Sequence, residues 1–375
     1  MKIVPSIPLV YPGTVPSEYV NDVRGWSFPM TLLETNRGKL LTLDIDFGEY
    51  CSLSCPWCFR KNGSVDSSGR PVLSYEETIE MVRQAKDLGL KTVKFLGAGE
   101  PFENSRFLHL LRDLNELGIY ASIFTKGHVL GSNELTSKYF GKSENIRTAD
   151  ELVKVVSELD VSILLSFQSF DDGLQDSLVN VSGYTALRNR AIDLLCYNGM
   201  NQPNPTRLAL AVLPITKITI KEAFEIYCWA RERNMYPCVC PSMCSGRAND
   251  KEYRDFITPS EEELIELYTK IYEYNISKGI QTLERIRNEG IASYAGGAPC
   301  VQIACGMYVT SRGIVLRCPG DDVTIFGDVR EQSLANIWHQ CENHGRDCHH
   351  CKCPPKDGKT IPSGLYEKVL VKISK

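Results

Sequence analysis

Leu41-Thr42-Leu43-Asp44-Ile45-Asp46-Phe47-Gly48-Glu49-Tyr50-Cys51-Ser52-Leu53-Ser54-Cys55-Pro56-Trp57-Cys58 decides how the rest of the chain is read. Leu41, Leu43, Ile45 and Phe47 alternate with polar residues, the period of a strand that ends just before Cys51. The loop after it carries three cysteines in eight residues. Three thiolates can hold three irons of a cubane cluster and leave the fourth iron without a protein ligand. An open iron is a chemical requirement where something must bind and react. The bland alternatives fit less well. Structural zinc takes four ligands, commonly as two paired knuckles, and a bacterial ferredoxin run needs a fourth cysteine; neither a fourth Cys nor a His lies close to this loop.

Outward from that loop the chain alternates strands and helices. A helix is predicted from an N-cap at Ser74 to about Leu88, with Met81, Val82, Ala85 and Leu88 on one face. Strands are predicted at 92–96, 120–124, 161–167, 208–213 and 236–240, with helices near 107–117, 148–159, 184–198 and 220–233. Such alternation implies parallel strands joined by right-handed crossovers. Six units predict an α/β fold, a partial (β/α)6 TIM-like barrel with a small Cys-rich C-terminal domain. Residues 1–40 are expected to be an N-terminal extension, 41–245 the barrel, 246–290 a helical linker and 291–375 the Cys-rich domain. That last part is poor in periodic apolar residues, so metal is expected to help hold it. In parallel barrels the site forms where the strands' C-terminal ends converge. The cysteine loop, Gly97–Pro101 and Lys126-Gly127 each follow a strand and are expected at one mouth.

Composition narrows the classes. A formal charge of −4 over 375 residues, without a dense Lys/Arg run, argues against a protein whose main task is gripping nucleic acid. No apolar stretch is long enough to span a membrane, and the proline-broken start lacks a signal-peptide core, so a cytoplasmic location is expected. Fifteen cysteines are many for this length, and an odd count fits poorly with closed disulfides. They fall in groups at 51–58, 238–244 and 300–353, which read as metal ligands or catalytic groups. Cys196 and Cys228 stand alone in helical patterns and read as core residues.

Two features together identify a resemblance. The 51–58 spacing, with Trp57 before the last cysteine, is similar to the signature of the radical S-adenosylmethionine (SAM) superfamily. Gly97-Ala98-Gly99-Glu100-Pro101 resembles that family's Gly-Gly-Glu-Pro motif, with Ala98 as the departure. The resemblance implies a 4Fe-4S cluster with an open iron held by Cys51, Cys55 and Cys58. It implies that SAM chelates that iron, Trp57 lies beside the adenine, and Gly97, Ala98, Gly99, Glu100 and Pro101 hold the SAM ammonium. Reductive cleavage would then give a 5′-deoxyadenosyl radical that abstracts hydrogen from substrate. Lys126, Ser166 and Gln168, at strand ends, are further candidates for cofactor contact. The electron implies an external one-electron reductant, flavodoxin- or ferredoxin-like.

The last third resembles the SPASM auxiliary-cluster domain or its shorter twitch form. Cys300, Cys305 and Cys318 match the upstream ligands, and Gly313 is expected to turn a hairpin between 307–310 and 314–316. Downstream the pattern departs, with Cys341, Cys348, Cys351 and Cys353 at other spacings. Seven cysteines cannot fully ligate two cubanes. Either one auxiliary 4Fe-4S cluster is present, or a second has an open iron or a ligand from His344, His349 or His350. Structural zinc at Cys348–Cys353, completed by Cys341 or His344, is the bland alternative. Cys238, Cys240 and Cys244, at the end of the sixth strand, read first as buried thiols and second as hydrogen-atom donors to a substrate radical. The first expectation is modification of a peptide or protein side chain, although 40 residues are few for a leader-binding domain. The alternatives are dehydrogenation or epimerisation of a small sugar-like or alcohol substrate, RNA modification, and a non-enzymatic iron–sulfur carrier or zinc-stabilised scaffold.

Overall fold

The computed structural model describes residues 5–9, 21–58, 69–347 and 353–375. Six strands carry the barrel: β1 (Thr42–Ile45), β2 (Thr92–Phe95), β3 (Tyr120–Thr125), β4 (Val161–Ser166), β5 (Leu208–Ile215) and β6 (Tyr236–Pro241). Each pairs in parallel with the next, with helices between them, for example Leu43 opposite Val93 and Ile123 opposite Ile163. The sheet does not close, so the partial barrel expected from the sequence is what forms.

Local chemistry starts the crossover helices. Ser74 Oγ accepts from Glu77 N at 3.1 Å, and the Glu77 carboxylate accepts from Ser74 N at 2.7 Å. This reciprocal cap begins helix Tyr75–Asp87, whose Ile79, Val82 and Ala85 are buried against the sheet side. Thr148–Glu151 and Ser260–Glu263 repeat the device.

Strand alternation separates two interiors. Leu43, Ile45, Val93, Phe95, Ile123, Ile163, Leu165, Leu210 and Val239 join the helices in the main core. The opposite face lines the barrel and is partly polar, with Asp44, Lys94, Ser122, Ser162 and Ser166 all buried. Asp44 lies in register with Lys94. The Lys94 ammonium donates to Gln302 Oε1 at 3.1 Å and sits 4.6 Å from the Trp26 ring centroid. Burial pushes the Asp44 carboxyl up to about 7, against the pull of Lys94. Val23, Leu164, Ala209, Tyr236, Cys238, Cys240 and Tyr294 form a second apolar group on this face, with Trp26 against it.

The C-terminal third continues the same sheet. β7 (Gly306–Val309) pairs in parallel with β1, then β8 (Ile314–Leu316) and β9 (Ile325–Asp328) add antiparallel, giving the order β6-β5-β4-β3-β2-β1-β7-β8-β9. The hairpin turns at Gly313 as expected. Met307, Val309, Val315, Leu334, Trp338, Leu365 and Val369 join the main core, so these apolar side chains are buried with the barrel's. Trp338 is fully buried, and its Nε1 donates to Gly38 O at 2.8 Å. No helix among the described residues is long and apolar enough to cross a membrane.

Candidate SAM and cluster site

The loops after the strands enclose a cavity of about 470 Å³ at the C-terminal mouth of the barrel. Cys51, Cys55 and Cys58 line one side, next to Trp57. Gly97–Pro101, Lys126 and Ser166 also line it, as do Ser242 and Met243 after β6 and Thr310–Arg312 after β7. Ser311 Oγ and Arg312 Nε donate to Glu49 Oε1 at 2.7 and 2.8 Å, beside the cysteine loop. The three thiols pack with Leu53, Val179 and Tyr184. Ser54 N donates to Val179 O at 3.2 Å and Trp57 Nε1 to Leu178 O at 3.1 Å, which ties the loop to the end of helix Asp172–Val179.

The donor set fits an iron–sulfur cluster, since three soft thiols and no imidazole face the cavity from this loop. Burial pushes the Cys51 thiol up to about 12, and the nearby Glu100 and Glu103 add to this. Such a thiol ionises when a cation binds it, so metal loading would release its proton. Among the described residues no three His, Cys, Asp or Glu side chains converge as a single metal ion would require.

Behind the loop lies a buried polar strut that sequence reasoning missed. Glu103 accepts from Ser52 N at 2.7 Å and from Ser52 Oγ, and meets His128 Nε2 at 2.7 Å. The side chains of Glu103 and His128 are 0% and 3% exposed. Burial opposes the charge on Glu103, but the bonds from His128 and Ser52 outweigh it and hold the carboxyl below its usual range. Glu103→Ala would strand His128 and free the first turn of the cysteine loop, and is expected to cost about 3 kcal/mol in urea unfolding at neutral pH. A carboxyl lowered in the fold contributes fully above the ordinary value of about 4.3 and loses that contribution as pH falls through its lower folded value. The gap between variant and parent is therefore expected to narrow in acid.

Gly97–Glu100 is laid against the segment that feeds Cys51. Asp46 Oδ1 accepts from Ala98 N at 2.9 Å, Tyr308 OH donates to Asp46 Oδ2, and Glu100 N donates to Tyr50 O at 2.8 Å. Gly97 has φ +131°, and a Cβ there would fall 1.9 Å from Asp46 Oδ1. Gly99 has φ +76°, and its Cβ would press on Gly48 O and Tyr50 O at 3.0 Å. Both glycines are therefore fixed by close approach and left-handed backbone. Ala98, the departure from paired glycines, makes its contact through the backbone amide, which any residue supplies.

Glu100 is buried, and burial raises its carboxyl against the opposing effects of His128 and of hydrogen bonds. Its oxygens accept from Thr125 Oγ1 at 2.6 Å and Lys126 N at 2.8 Å, which joins the ends of β2 and β3. Oε1 also accepts from Phe102 N at 3.4 Å, so it is Oε2 that retains a lone pair for a further donor. Lys126 Nζ donates to Ser166 Oγ at 2.8 Å on the cavity wall. Gln168 does not line the cavity. Its Nε2 donates to Ser166 Oγ at 2.8 Å and Leu213 O at 2.7 Å, and its backbone N to Gln175 Oε1, so it braces the wall from behind.

The middle cysteines lie elsewhere than their strand-end positions suggest. Cys238, Cys240 and Cys244 are all buried, and none lines the cavity. Alternation turns Cys238 and Cys240 into the barrel interior, and Cys244 lies beside Thr360. A hydrogen-donor role, which needs a thiol at the cavity wall, is not supported by this placement. Of the C-terminal cysteines, Cys300, Cys305, Cys318, Cys341 and Cys353 form no disulfide. Cys348 and Cys351, with His349 and His350, lie outside the described residues.

Comparison with known proteins agrees with this geometry. Residues 45–226 match the radical SAM superfamily. A S-adenosylmethionine-dependent nucleotide dehydratase of Flammeovirga pacifica is 30% identical over 108 residues, 28% of this chain and 37% of that protein. A probable dual-specificity RNA methyltransferase RlmN of Mycobacterium tuberculosis is 27% identical over 167 residues, 43% of this chain and 42% of that protein. The chain thus spans well under half the length of these curated relatives. Streptococcus suis SuiB bound to precursor peptide SuiA shares the fold at TM-score 0.56 and 20% identity, over 90% of this chain and 73% of SuiB. With its cysteine loop and glycine turn meeting in one cavity, the segment 45–226 is a radical SAM superfamily domain.

Proposed function

We propose that this chain is a radical SAM enzyme acting on a peptide or protein side chain. The observation that carries the reading is the opening of Cys51, Cys55 and Cys58 into the same cavity as Gly97–Pro101. A 4Fe-4S cluster held by those thiols would supply the electron that cleaves SAM to a 5′-deoxyadenosyl radical. The chain's own residues bind and position. Asp46 and the two glycines hold open a backbone cradle, and Glu100 offers negative charge to an ammonium. Trp57 gives a flat apolar wall, while Lys126 and Ser166 offer polar contacts. At least one auxiliary cluster among the C-terminal cysteines belongs to the same reading, as does an external one-electron reductant.

The peptide reading is supported by the likeness to SuiB, whose complex with its precursor peptide SuiA shares this fold. The test uses reduced, reconstituted protein with SAM and fractionated extract of the source cells. 5′-Deoxyadenosine release is expected to rise about tenfold or more with the peptide fraction, as a bound substrate commits the radical. Stimulation by the small-molecule fraction alone would favour the sugar or alcohol reading instead.

A further inference from the structure

The buried ammonium of Lys356 has an unusual setting. Lys356 is 2% exposed, and among the described residues no carboxylate pairs with it. Its Nζ donates to Cys240 Sγ at 2.7 Å and lies 4.5 Å from the Tyr294 ring centroid. A buried cation is costly unless negative charge faces it. A neutral thiol and an aromatic ring meet that need poorly; metal-bound thiolates would meet it well.

Three further thiols gather here from separate parts of the chain. Cys300 packs in the same group as Cys240 and Tyr294. Cys353 opens the turn that presents Lys356, whose backbone N donates to Cys353 O at 2.8 Å. Cys353 lies within electrostatic reach of Lys356, Cys300 and Cys240, and Cys318 within reach of Cys353 and Cys300. The Cys318 turn is fixed to both neighbours: a Cβ on Gly320 would be 3.4 Å from Pro355 and 3.6 Å from Met243. Thr360 Oγ1 donates to Ser242 O at 2.8 Å, closing the C-terminal segment over the end of β6. The four thiols form no disulfide. Cys305 packs with Leu33, Leu41 and Val301, and Cys341 packs against the main core. Cys238 shares the group of Cys240 and Cys300, but it is Cys240 whose Sγ meets Lys356 Nζ, while also donating to Ser293 O at 3.0 Å.

We infer that Cys240, Cys300, Cys318 and Cys353 are the ligands of one auxiliary 4Fe-4S cluster, with Lys356 as its buried counter-cation. The assignment rests on the reading above that the C-terminal cysteines hold at least one such cluster. It takes Cys240 from the barrel's last strand as a ligand and leaves out Cys305 and Cys341, which the sequence had placed among the candidates. A cubane spreads its thiolates around four irons, which suits thiols that do not converge on one point. A lysine N–H bonded to a ligand sulfur, and its positive charge, both raise a cluster's reduction potential.

The test is iron and sulfide content, with electron paramagnetic resonance, on the full chain reconstituted anaerobically. Cys240→Ala is expected to lose about four irons and one reduced-cluster signal. Cys238→Ala and Cys305→Ala are expected to keep wild-type iron, and circular dichroism checks that each variant is folded. Lys356→Met is expected to keep the iron and lower the midpoint potential of that same signal. Full iron with an unchanged signal in Cys240→Ala would overturn the assignment, as would iron loss in Cys305→Ala alone. A separate arm tests the underlying reading: Cys51/Cys55/Cys58→Ala is expected to retain about four irons. Retention of none would sink the auxiliary cluster itself, whatever Cys240 does.

Discussion

Alanine at Cys55 is expected to remove about four irons from the reconstituted protein and to cut 5′-deoxyadenosine formation about a thousandfold or more. Cys55 sits in the middle of the loop, buried against Leu53, Val179 and Tyr184. Beyond Cys51, Cys55 and Cys58, no described cysteine lines the cavity to replace it. The loop's backbone bonds, Ser54 N to Val179 O and Ser52 N to Glu103, do not involve the Cys55 side chain. The variant is therefore expected to stay folded while losing the cluster. Iron content with circular dichroism separates these effects; loss of fold together with loss of iron would show that the thiol's main contribution is packing.

Gly97→Ala carries the second large effect. The new methyl would overlap Asp46 Oδ1 and approach Tyr308 OH at 3.0 Å, at a φ that L residues rarely adopt. Moving Asp46 breaks its bond to Ala98 N and loosens the join between β1, β7 and the glycine turn. The combined strain is expected to cost about 2–4 kcal/mol and to weaken SAM binding at least about tenfold. Ala98→Gly is the control. Its contact is a backbone amide, so SAM affinity is expected to stay near that of the parent. Urea unfolding and SAM titration check both; equal behaviour of the two variants would mean that the Asp46 contact does not shape the site.

The barrel was legible because alternation and helical periodicity are local. Leu43 and Ile45, or Ile79, Val82 and Ala85, announce their faces without knowledge of their partners. The cysteine loop and glycine turn were legible for a related reason: their chemistry depends on short spacing. What stayed hidden depends on long-range pairing. Nothing near Met307 says that β7 will pair in parallel with β1, more than 250 positions away, and bring Arg312 to the mouth. Glu103 and His128 resemble ordinary surface residues until the fold buries them together. Their one sequence signal is position, just after the ends of β2 and β3, like Glu100 and Lys126. Gln168 shows the limit of position alone, because a polar residue at a strand end can brace the wall as readily as line the cavity. Cys238 and Cys240 fall two residues apart on a strand and so share a face. That alternation was readable, but which face is the barrel interior was not.

The central claim is that the cavity holding Cys51, Cys55 and Cys58 binds a cluster that cleaves SAM. Its most direct test is to incubate the anaerobically reconstituted, dithionite-reduced chain with SAM and measure 5′-deoxyadenosine, with the Cys51/Cys55/Cys58→Ala variant alongside. The account predicts release by the parent protein and none by the variant. No release by a parent that carries its full iron, or equal release by both proteins, would contradict it.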